Sequence, residues 1–372
     1  GWLKQGCLSV AQAKSLVSSL DLLDLKRVSA VFENSAAVGA AVASEVSIEP
    51  PEESSCVSLS AIPLSERLEY EQRGKQEISE GRAAVIILGG GQGTRLGFDG
   101  PKGMYDIGLP SGKSLFQLYA ERIASLTRLV QEEKDAALGA AVAPLTVVIP
   151  LFIMTSPLNH AATVKFFESN SFFGLKSEHV HFFPQGTLPA LSLKGGKIIM
   201  QSGYEVSQAP DGNGGIYNAL EVSGALAMLE GVYNSRSCHV FSVDNAISKV
   251  ADPTFLGFCI SRGAEVGNKV VWKRSPEERV GVVARKGGKA AIVEYTELSG
   301  GLANATDASG KLRFGAGNIC NHYFTVPFLR HVATVNKEQP ALMPYHVAVK
   351  KVPAAHADTG ATVAPDESNG SK

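Results

Sequence analysis

The sequence carries almost no net charge and no cysteine pattern, and each absence narrows what the chain can be. Its 35 Lys and Arg residues are set against 36 Asp and Glu, a formal charge of −1. No global field therefore gathers nucleic acid or an anionic membrane, and any anion must be bound locally. The five cysteines (Cys7, Cys56, Cys238, Cys259, Cys320) stand apart with no C-x-x-C pair. That spacing argues against a zinc site or a disulfide framework and leads to the expectation of reduced thiols in a cytoplasmic protein. Long apolar runs are missing too. The uncharged stretch from Ala136 to Val164 is broken by Pro144, Pro150, Pro157, Asn159 and His160. It reads as a small-residue loop, 136–143, and a core strand, 145–154, rather than a membrane span. No secretory signal is evident, although the chain opens on Gly1 and not on methionine.

Two common glycine-loop signatures are also absent. A dinucleotide fingerprint needs G-x-G-x-x-G or A after a strand, but counting from Gly89 the sixth residue is Thr94, and from Gly91 it is Leu96. A Walker A loop needs four residues between its glycines, and Gly108-Leu-Pro-Ser-Gly112-Lys113-Ser114 has three. That segment reads as a turn into a helix starting near Ser114.

What is present is Leu88-Gly-Gly-Gly-Gln-Gly-Thr-Arg-Leu-Gly97, followed at once by Pro101-Lys102-Gly103. The preceding run, Ala83-Ala-Val-Ile-Ile-Leu88, is apolar and rich in β-branched residues, as expected of a strand buried on both faces in a parallel sheet. Glycines directly after such a strand let the backbone turn and approach a ligand without a Cβ in the way. Their N–H groups then face an anion or a base edge. Arg95 and Lys102 add two cations beside the loop, a combination suited to phosphate.

Along the chain, residues 8–34 read as one or two amphipathic helices, 36–58 as a linker or loop, and 64–80 as a charged helix that Ser65 can cap. From Gly81 the elements alternate: strand 83–88, helix 114–130, strand 145–154, helix 160–169, strand 179–183. Strands near 238–243, 266–273, 280–285 and 290–295 follow. The order predicts an α/β fold with a Rossmann-like, doubly wound mixed sheet preceded by an N-terminal helical segment. The expected divisions are an N-terminal helical segment with linker over 1–80, a catalytic domain over 81–335 and the start of a further region over 336–372. Val240-Phe-Ser-Val243 places Asp244 at a strand's carboxyl end, where open α/β sheets collect ligands.

The loop L-x-G-G-x-G-T-x-L-G before a Pro-Lys pair resembles the uridylyl-transferring sugar-nucleotide pyrophosphorylases, and most nearly the eukaryotic UDP-N-acetylglucosamine pyrophosphorylases. The resemblance covers roughly residues 65 to 372. It continues through Pro101–Gly108, Phe182-Phe-Pro-Gln-Gly186, Ala209–Gly215, Val243-Asp-Asn245, Val293-Glu-Tyr295 and Gly315–His322. One departure is Gly89, where that family usually has alanine.

The resemblance implies the nucleotide-diphospho-sugar transferase type of fold and a specific reaction. UTP and N-acetylglucosamine 1-phosphate would give UDP-N-acetylglucosamine and pyrophosphate by in-line attack on the α-phosphorus. Such a transfer rests on positioning and electrostatics, which explains why no nucleophilic serine or cysteine is needed. Arg95 and Lys102 become the catalytic candidates. Leu88, Gly89, Gly90, Gly91, Gln185, Gly212 and Asn213 would contact uracil and ribose. Asp244 would bind Mg2+ or Mn2+ together with nucleotide oxygens; the lesser alternative is a carboxylate that caps the next helix. Gly281, Glu294 and Asn318 would read the sugar, with Asn213 assisting, and Lys372 would touch the sugar phosphate. Asn321 and His322 would lie behind these contacts, although His322 by itself reads as a satisfied core histidine, and Cys320 is expected in the core. The resemblance also implies a further C-terminal region carrying another phosphate-binding lysine, so the chain is expected to be a fragment. Two other readings remain open: a related UDP-sugar pyrophosphorylase with broader sugar choice, or a nucleotide-sugar-binding protein without efficient turnover.

Overall fold

A computed structural model describes residues 8–21, 46–138, 146–193, 195–298, 300–339, 349–365 and 367–371, together with single positions between 23 and 33. The chain forms two units: Ser44–Pro184 with Ala219–Val332, and Gly1–Ala43 with Gln185–Asn218 and Ala333–Lys372.

The first and larger unit is built on a nine-stranded sheet. Its strands are β1 (Ile48–Glu49), β2 (Ala83–Leu88), β3 (Leu151–Thr155), β4 (Val180–Pro184), β5 (Ser237–Ser242), β6 (Val266–Trp272), β7 (Val282–Lys286), β8 (Lys289–Val293) and β9 (Ala316–Thr325). The spatial order is β1-β7-β9-β5-β2-β3-β4, with β8 pairing β7 and β6 pairing β9. Strands β4, β3, β2 and β5 are mutually parallel, and the remaining pairings are antiparallel. This is the mixed α/β sheet expected from the sequence. Every residue of β2 is buried, which explains its unbroken apolar text. The chain leaves β2 for β3 on one side and later returns to β5 on the other. The carboxyl ends of β2 and β5 therefore flank the point where strand order reverses, and ligands of open α/β sheets bind there.

Helices α1 (Leu64–Ser79), α2 (Leu115–Leu138), α3 (His160–Ser169) and α4 (Pro253–Ser261) accompany the sheet. Their apolar residues Ile78, Phe116, Tyr119, Ile123, Phe167, Phe255 and Leu256 form one core with Val85, Ile87, Leu151, Ile153 and Phe241. Two glycines set the distance between α1 and α4. A Cβ on Gly74 would lie 1.9 Å from the Pro253 carbonyl oxygen, and one on Gly257 would lie 1.8 Å from that of Tyr70. The helices touch backbone to backbone, and no side chain fits between them.

Several local expectations need correction. Helix α1 begins at Leu64 after Pro63, which makes no side-chain cap, so Ser65 is not the capping residue. Proline just ahead of the first turn starts the helix by fixing φ. Segment 46–58, read as linker, contributes edge strand β1, which pairs with Arg285 and Lys286. Helix α2 runs to Leu138, well past the expected end at 130. Strand β3 starts at Leu151, because 146–150 run in as irregular chain. Strand β8 stops at Val293, leaving Glu294 just beyond the ladder. Strand β9 and the helix Val326–Glu338 were not anticipated. Of the expected loop 136–143, residues 136–138 belong to α2 and 139–143 lie outside the described residues. Among the described residues, no helix is long and apolar enough to cross a membrane.

In the second unit the described parts include the helix Val10–Asp21 and a hairpin pairing Thr187–Pro189 with Gln208–Pro210. A small three-stranded sheet joins Leu191–Ser192, Val349–Lys350 and Gly370–Ser371. Ala190, Ile199 and Val352 form its core.

Candidate active site

The glycine loop leaves β2 with its first peptide still on the ladder: the Gly89 N–H donates to the Met154 carbonyl at 2.7 Å. The chain then folds back on itself. Gly93 N–H donates to the Gly100 carbonyl at 2.8 Å, and Lys102 N–H donates to the Gly91 carbonyl at 3.1 Å. Gly97, at φ 70°, closes a short turn over Thr94–Leu96 that contains Arg95. The fold-back explains why Pro-Lys-Gly follows the loop so closely. A Cβ on Gly103 would fall 2.1 Å from the Phe116 ring, so only glycine lets this turn settle on α2. Seated in that way, Lys102 lays its stem along the loop, with its Cδ and Cε 3.5 Å from where a Gly91 Cβ would be.

The Lys102 ammonium donates to Asp244 Oδ2 at 2.8 Å. Asp244 follows β5, held by its neighbours: Val243 N–H donates to the Leu88 carbonyl at 3.1 Å, and Tyr119 Oη donates to the Val243 carbonyl at 2.8 Å. Ser242 Oγ donates to Asp244 Oδ1. Partial burial pushes the Asp244 carboxyl up, but the hydrogen bonds from Lys102 and Ser242 outweigh it and hold its pKa below the ordinary carboxylate value. The side chains of Lys102 and Asp244 are 25% and 51% exposed, so both remain open to a ligand.

The segment after Asp244 is tied at several points. Arg122 donates to the Ala246 and Ser248 carbonyls at 2.7 and 3.1 Å, and Asn245 Nδ2 donates to the Ile319 carbonyl at 3.3 Å. Buried His239 accepts the Ala251 N–H on Nδ1 at 3.0 Å, so its Nε2–H donates to Asn321 Oδ1 at 2.9 Å. Asn321 Nδ2 in turn donates to Ser248 Oγ at 2.9 Å. Burial keeps His239 neutral, with its pKa lowered to about 4. Asn321 thus braces the segment that follows Asp244. His322 makes a separate pair with Asn268 Oδ1 at 2.5 Å.

Three residues expected to read a sugar lie together. Gly281 accepts the Asn318 N–H at 2.8 Å, and a Cβ on Gly281 would lie 3.3 Å from the Glu294 carboxylate. The strand register explains this. Val282 pairs with both Val293 and Gly317, placing Gly281 between the end of β8 and the bulge in β9. Within that bulge, Cys320 adopts φ 52° and its N–H donates to Asn318 Oδ1 at 3.0 Å. Cys320 is only half-buried and close enough to Asp244 for the carboxylate to help burial raise its pKa to about 11. It therefore borders the site, contrary to the expectation that it belongs to the core. Glycine at position 89 suits the close packing of the loop, because a Cβ there would lie 3.2 Å from the Met154 carbonyl oxygen and 3.3 Å from Ile153 Cγ2, and the neighbours would have to shift slightly to admit alanine.

In the other unit, Gln185 is 7% exposed and precedes the hairpin that carries Asp211. Asp211 N–H donates to the Gly186 carbonyl at 3.1 Å. Its carboxylate occupies the space where Cβ atoms on Gly186 and Gly215 would be, 2.6 and 2.0 Å away. Gly212 takes φ 82° and leads into the tight turn Asn213–Gly215. Gln185, Gly212 and Asn213 are thus gathered around one hairpin end. Lys372 lies outside the described residues.

Sequence reasoning missed Asn159. It is 1% exposed directly ahead of α3, and its Nδ2 donates to the Gly89 carbonyl at 3.0 Å and the Gly91 carbonyl at 3.4 Å. Its only sequence signal was a polar residue directly ahead of a helix.

Among the described residues, no group of three or more His, Cys, Asp or Glu side chains is arranged to hold a metal ion. The single carboxylate of Asp244 fits a different kind of site, in which a hard cation takes one protein oxygen and completes its octahedron with nucleotide oxygens and water.

A glycine loop, a lysine and an ionised carboxylate at the switch point of a Rossmann-like sheet define a nucleotide-binding α/β protein equipped for phosphate chemistry. Comparison with known proteins narrows this class. The profile of the UTP–glucose-1-phosphate uridylyltransferase family matches residues 29–364, and the chain belongs to that family. It is 42% identical over 357 residues to UDP-N-acetylglucosamine diphosphorylase 2 of Arabidopsis thaliana, covering 94% of this chain and 68% of that one. It is 44% identical over 307 residues to UDP-N-acetylglucosamine pyrophosphorylase of Saccharomyces cerevisiae, covering 82% and 60%. The crystal structure of the uridine diphosphate N-acetylglucosamine pyrophosphorylase from Trypanosoma brucei superposes with a TM-score of 0.82 at 32% identity, over 98% of this chain and 68% of that chain. The chain thus spans between 60% and 68% of the length of these three relatives.

Proposed function

We propose that this protein is a uridylyltransferase that makes UDP-N-acetylglucosamine and pyrophosphate from UTP and N-acetylglucosamine 1-phosphate. The observation that carries this reading is the 2.8 Å pair of Lys102 and Asp244 beside the glycine loop, in a chain that belongs to a uridylyltransferase family. In this reading the loop from Leu88 to Gly91 receives the uridine through its backbone, and Gln185, Gly212 and Asn213 add polar contacts to base and ribose. Gly281, Glu294 and Asn318 take the sugar, whose hydroxyls and acetamido group need paired partners once desolvated. Lys372 is assigned to the sugar phosphate.

Transfer requires the sugar phosphate oxygen to approach the α-phosphorus opposite the pyrophosphate leaving group. Lys102 and Arg95 supply positive charge to the oxygens that become more negative as that bond breaks. Lys102 is paired with Asp244, which keeps the carboxylate ionised. An exposed pair of this kind is worth about 0–1 kcal/mol, so Lys102 exchanges Asp244 for phosphate at little cost. Asp244 is then the residue that holds Mg2+ or Mn2+. When bound, the ion would neutralise phosphate charge and fix the triphosphate for attack. We further assign the protein to the cytoplasm, in keeping with its scattered cysteines.

The test is UDP-sugar formation from UTP with a panel of sugar 1-phosphates and Mg2+. Preferential use of N-acetylglucosamine 1-phosphate supports the reading. Equal or greater use of glucose 1-phosphate replaces it with a broader or different sugar choice.

A further inference from the structure

Asparagine is a favoured helix N-cap because its side chain can accept an N–H from the first turn. Asn159 precedes α3 in the N-cap position, yet it makes no such bond. Its Oδ1 instead accepts the Ser156 N–H at 2.7 Å, which fixes the amide plane, and its Nδ2 is turned onto the glycine loop. The site is closed to water, with Asn159 and Ser156 each 1% exposed. Thr155 Oγ1 braces the same corner through His160 Nδ1 at 2.8 Å. A buried side chain that forgoes the local cap and bonds another loop is placed for that loop.

The two bonded carbonyls determine where the loop's donors point. A trans peptide is planar, and its C=O and the following N–H are directed oppositely. Anchoring the Gly89 carbonyl on Asn159 therefore turns the Gly90 N–H away from Asn159. Anchoring the Gly91 carbonyl, which also accepts the Lys102 N–H, does the same for the Gln92 N–H. Glycines are free to rotate these peptides, and without a fixed partner the loop would sample several orientations.

We propose that Asn159 is a positioning residue for nucleotide binding: it anchors the Gly89 and Gly91 carbonyls so that the N–H groups of Gly90 and Gln92 are aimed at the uridine nucleotide. The inference rests on the assignment of this loop to uridine. Acting through the loop backbone, Asn159 sets nucleotide affinity and leaves the chemical step unchanged.

Asn159→Asp separates this role from simple structural support, since the carboxylate still accepts the Ser156 N–H but opposes the two glycine carbonyls with negative charge. Calorimetric titration of UTP into both proteins is paired with steady-state pyrophosphate release. The expected result is UTP affinity lower by on the order of ten-fold. KM for UTP rises by the same factor, and kcat and KM for the sugar 1-phosphate stay within about two-fold. Wild-type affinity in a folded Asn159→Asp protein overturns the inference, as does a fall in kcat with both KM values unchanged. If the wild-type protein binds no uridine nucleotide, the loop assignment fails and the inference falls with it. If the variant does not fold, amide exchange in the wild-type protein decides: UTP should slow exchange at Gly90 and Gln92, and unchanged exchange at both overturns the inference.

Discussion

Replacing Lys102 with methionine separates the catalytic account from a structural one, because the two predict effects of different size on different observables. Methionine keeps most of the apolar stem that lies along Gly91 and removes only the charge. The ion pair lost is 2.8 Å long, but its members are 25% and 51% exposed. Pairs in that setting contribute about 0–1 kcal/mol to stability, so thermal and denaturant unfolding should change by no more than that. A charge that meets the departing pyrophosphate acts chiefly in the transition state. Losing one such contact costs on the order of 10²–10³ in kcat, or about 2.7–4 kcal/mol. The assay is continuous pyrophosphate release at saturating UTP and sugar phosphate, run beside a melting curve. A folded Lys102→Met protein that loses less than about ten-fold in kcat refutes the role assigned here. A loss of activity that follows a large drop in melting temperature refutes it equally.

Further outcomes follow from the assigned roles and the packing. Arg95→Ala should lower kcat by a similar factor of on the order of 10²–10³ without unfolding the protein, as measured by the same assay. Asp244→Asn should shift the Mg2+ titration of activity to higher concentration, with excess Mg2+ restoring part of the rate; an unchanged titration would make Asp244 structural. Gly257→Ala would force a Cβ to 1.8 Å from the Tyr70 carbonyl oxygen and should destabilise by at least ~1–3 kcal/mol in urea unfolding. His239 and His322 are held near pKa 4 by burial, against an ordinary 6.5. The unfolded chain therefore binds more protons between those values, and stability should fall as pH drops from about 6.5 to 4, by up to roughly 3 kcal/mol per histidine. A melting temperature that stays flat across that window would contradict the buried, neutral assignment.

The sheet was legible where a strand is buried on both faces or ends at a glycine turn. Ala83–Leu88 and the strand before Asp244 were readable because a continuous apolar run followed by glycine or aspartate leaves few alternatives. Strand β9 was not, since its text, Gly-Asn-Ile-Cys-Asn-His, is interrupted by a bulge that breaks the period-two pattern. Glu294 was read as part of a strand because nothing local marks Val293 as the last ladder residue. The nearness of Gly281, Glu294 and Asn318 rests on the register of β7 with β8 and β9, which no local pattern encodes. Lys102 was legible from its spacing to the loop. Its pairing with Asp244 spans 142 positions and became visible only in the folded sheet. Asn159 illustrates the same limit: an asparagine before a helix reads as a cap, and only tertiary structure shows its side chain turned onto another loop.

We propose that this site transfers uridylyl to N-acetylglucosamine 1-phosphate. The most direct test is to incubate the protein with UTP, Mg2+ and that sugar phosphate and to follow UDP-N-acetylglucosamine and pyrophosphate together. The two products should form in equal amounts, and Asp244 and Lys102 variants should be much slower. Folded protein that binds UTP yet forms neither product from any sugar 1-phosphate would contradict the proposal.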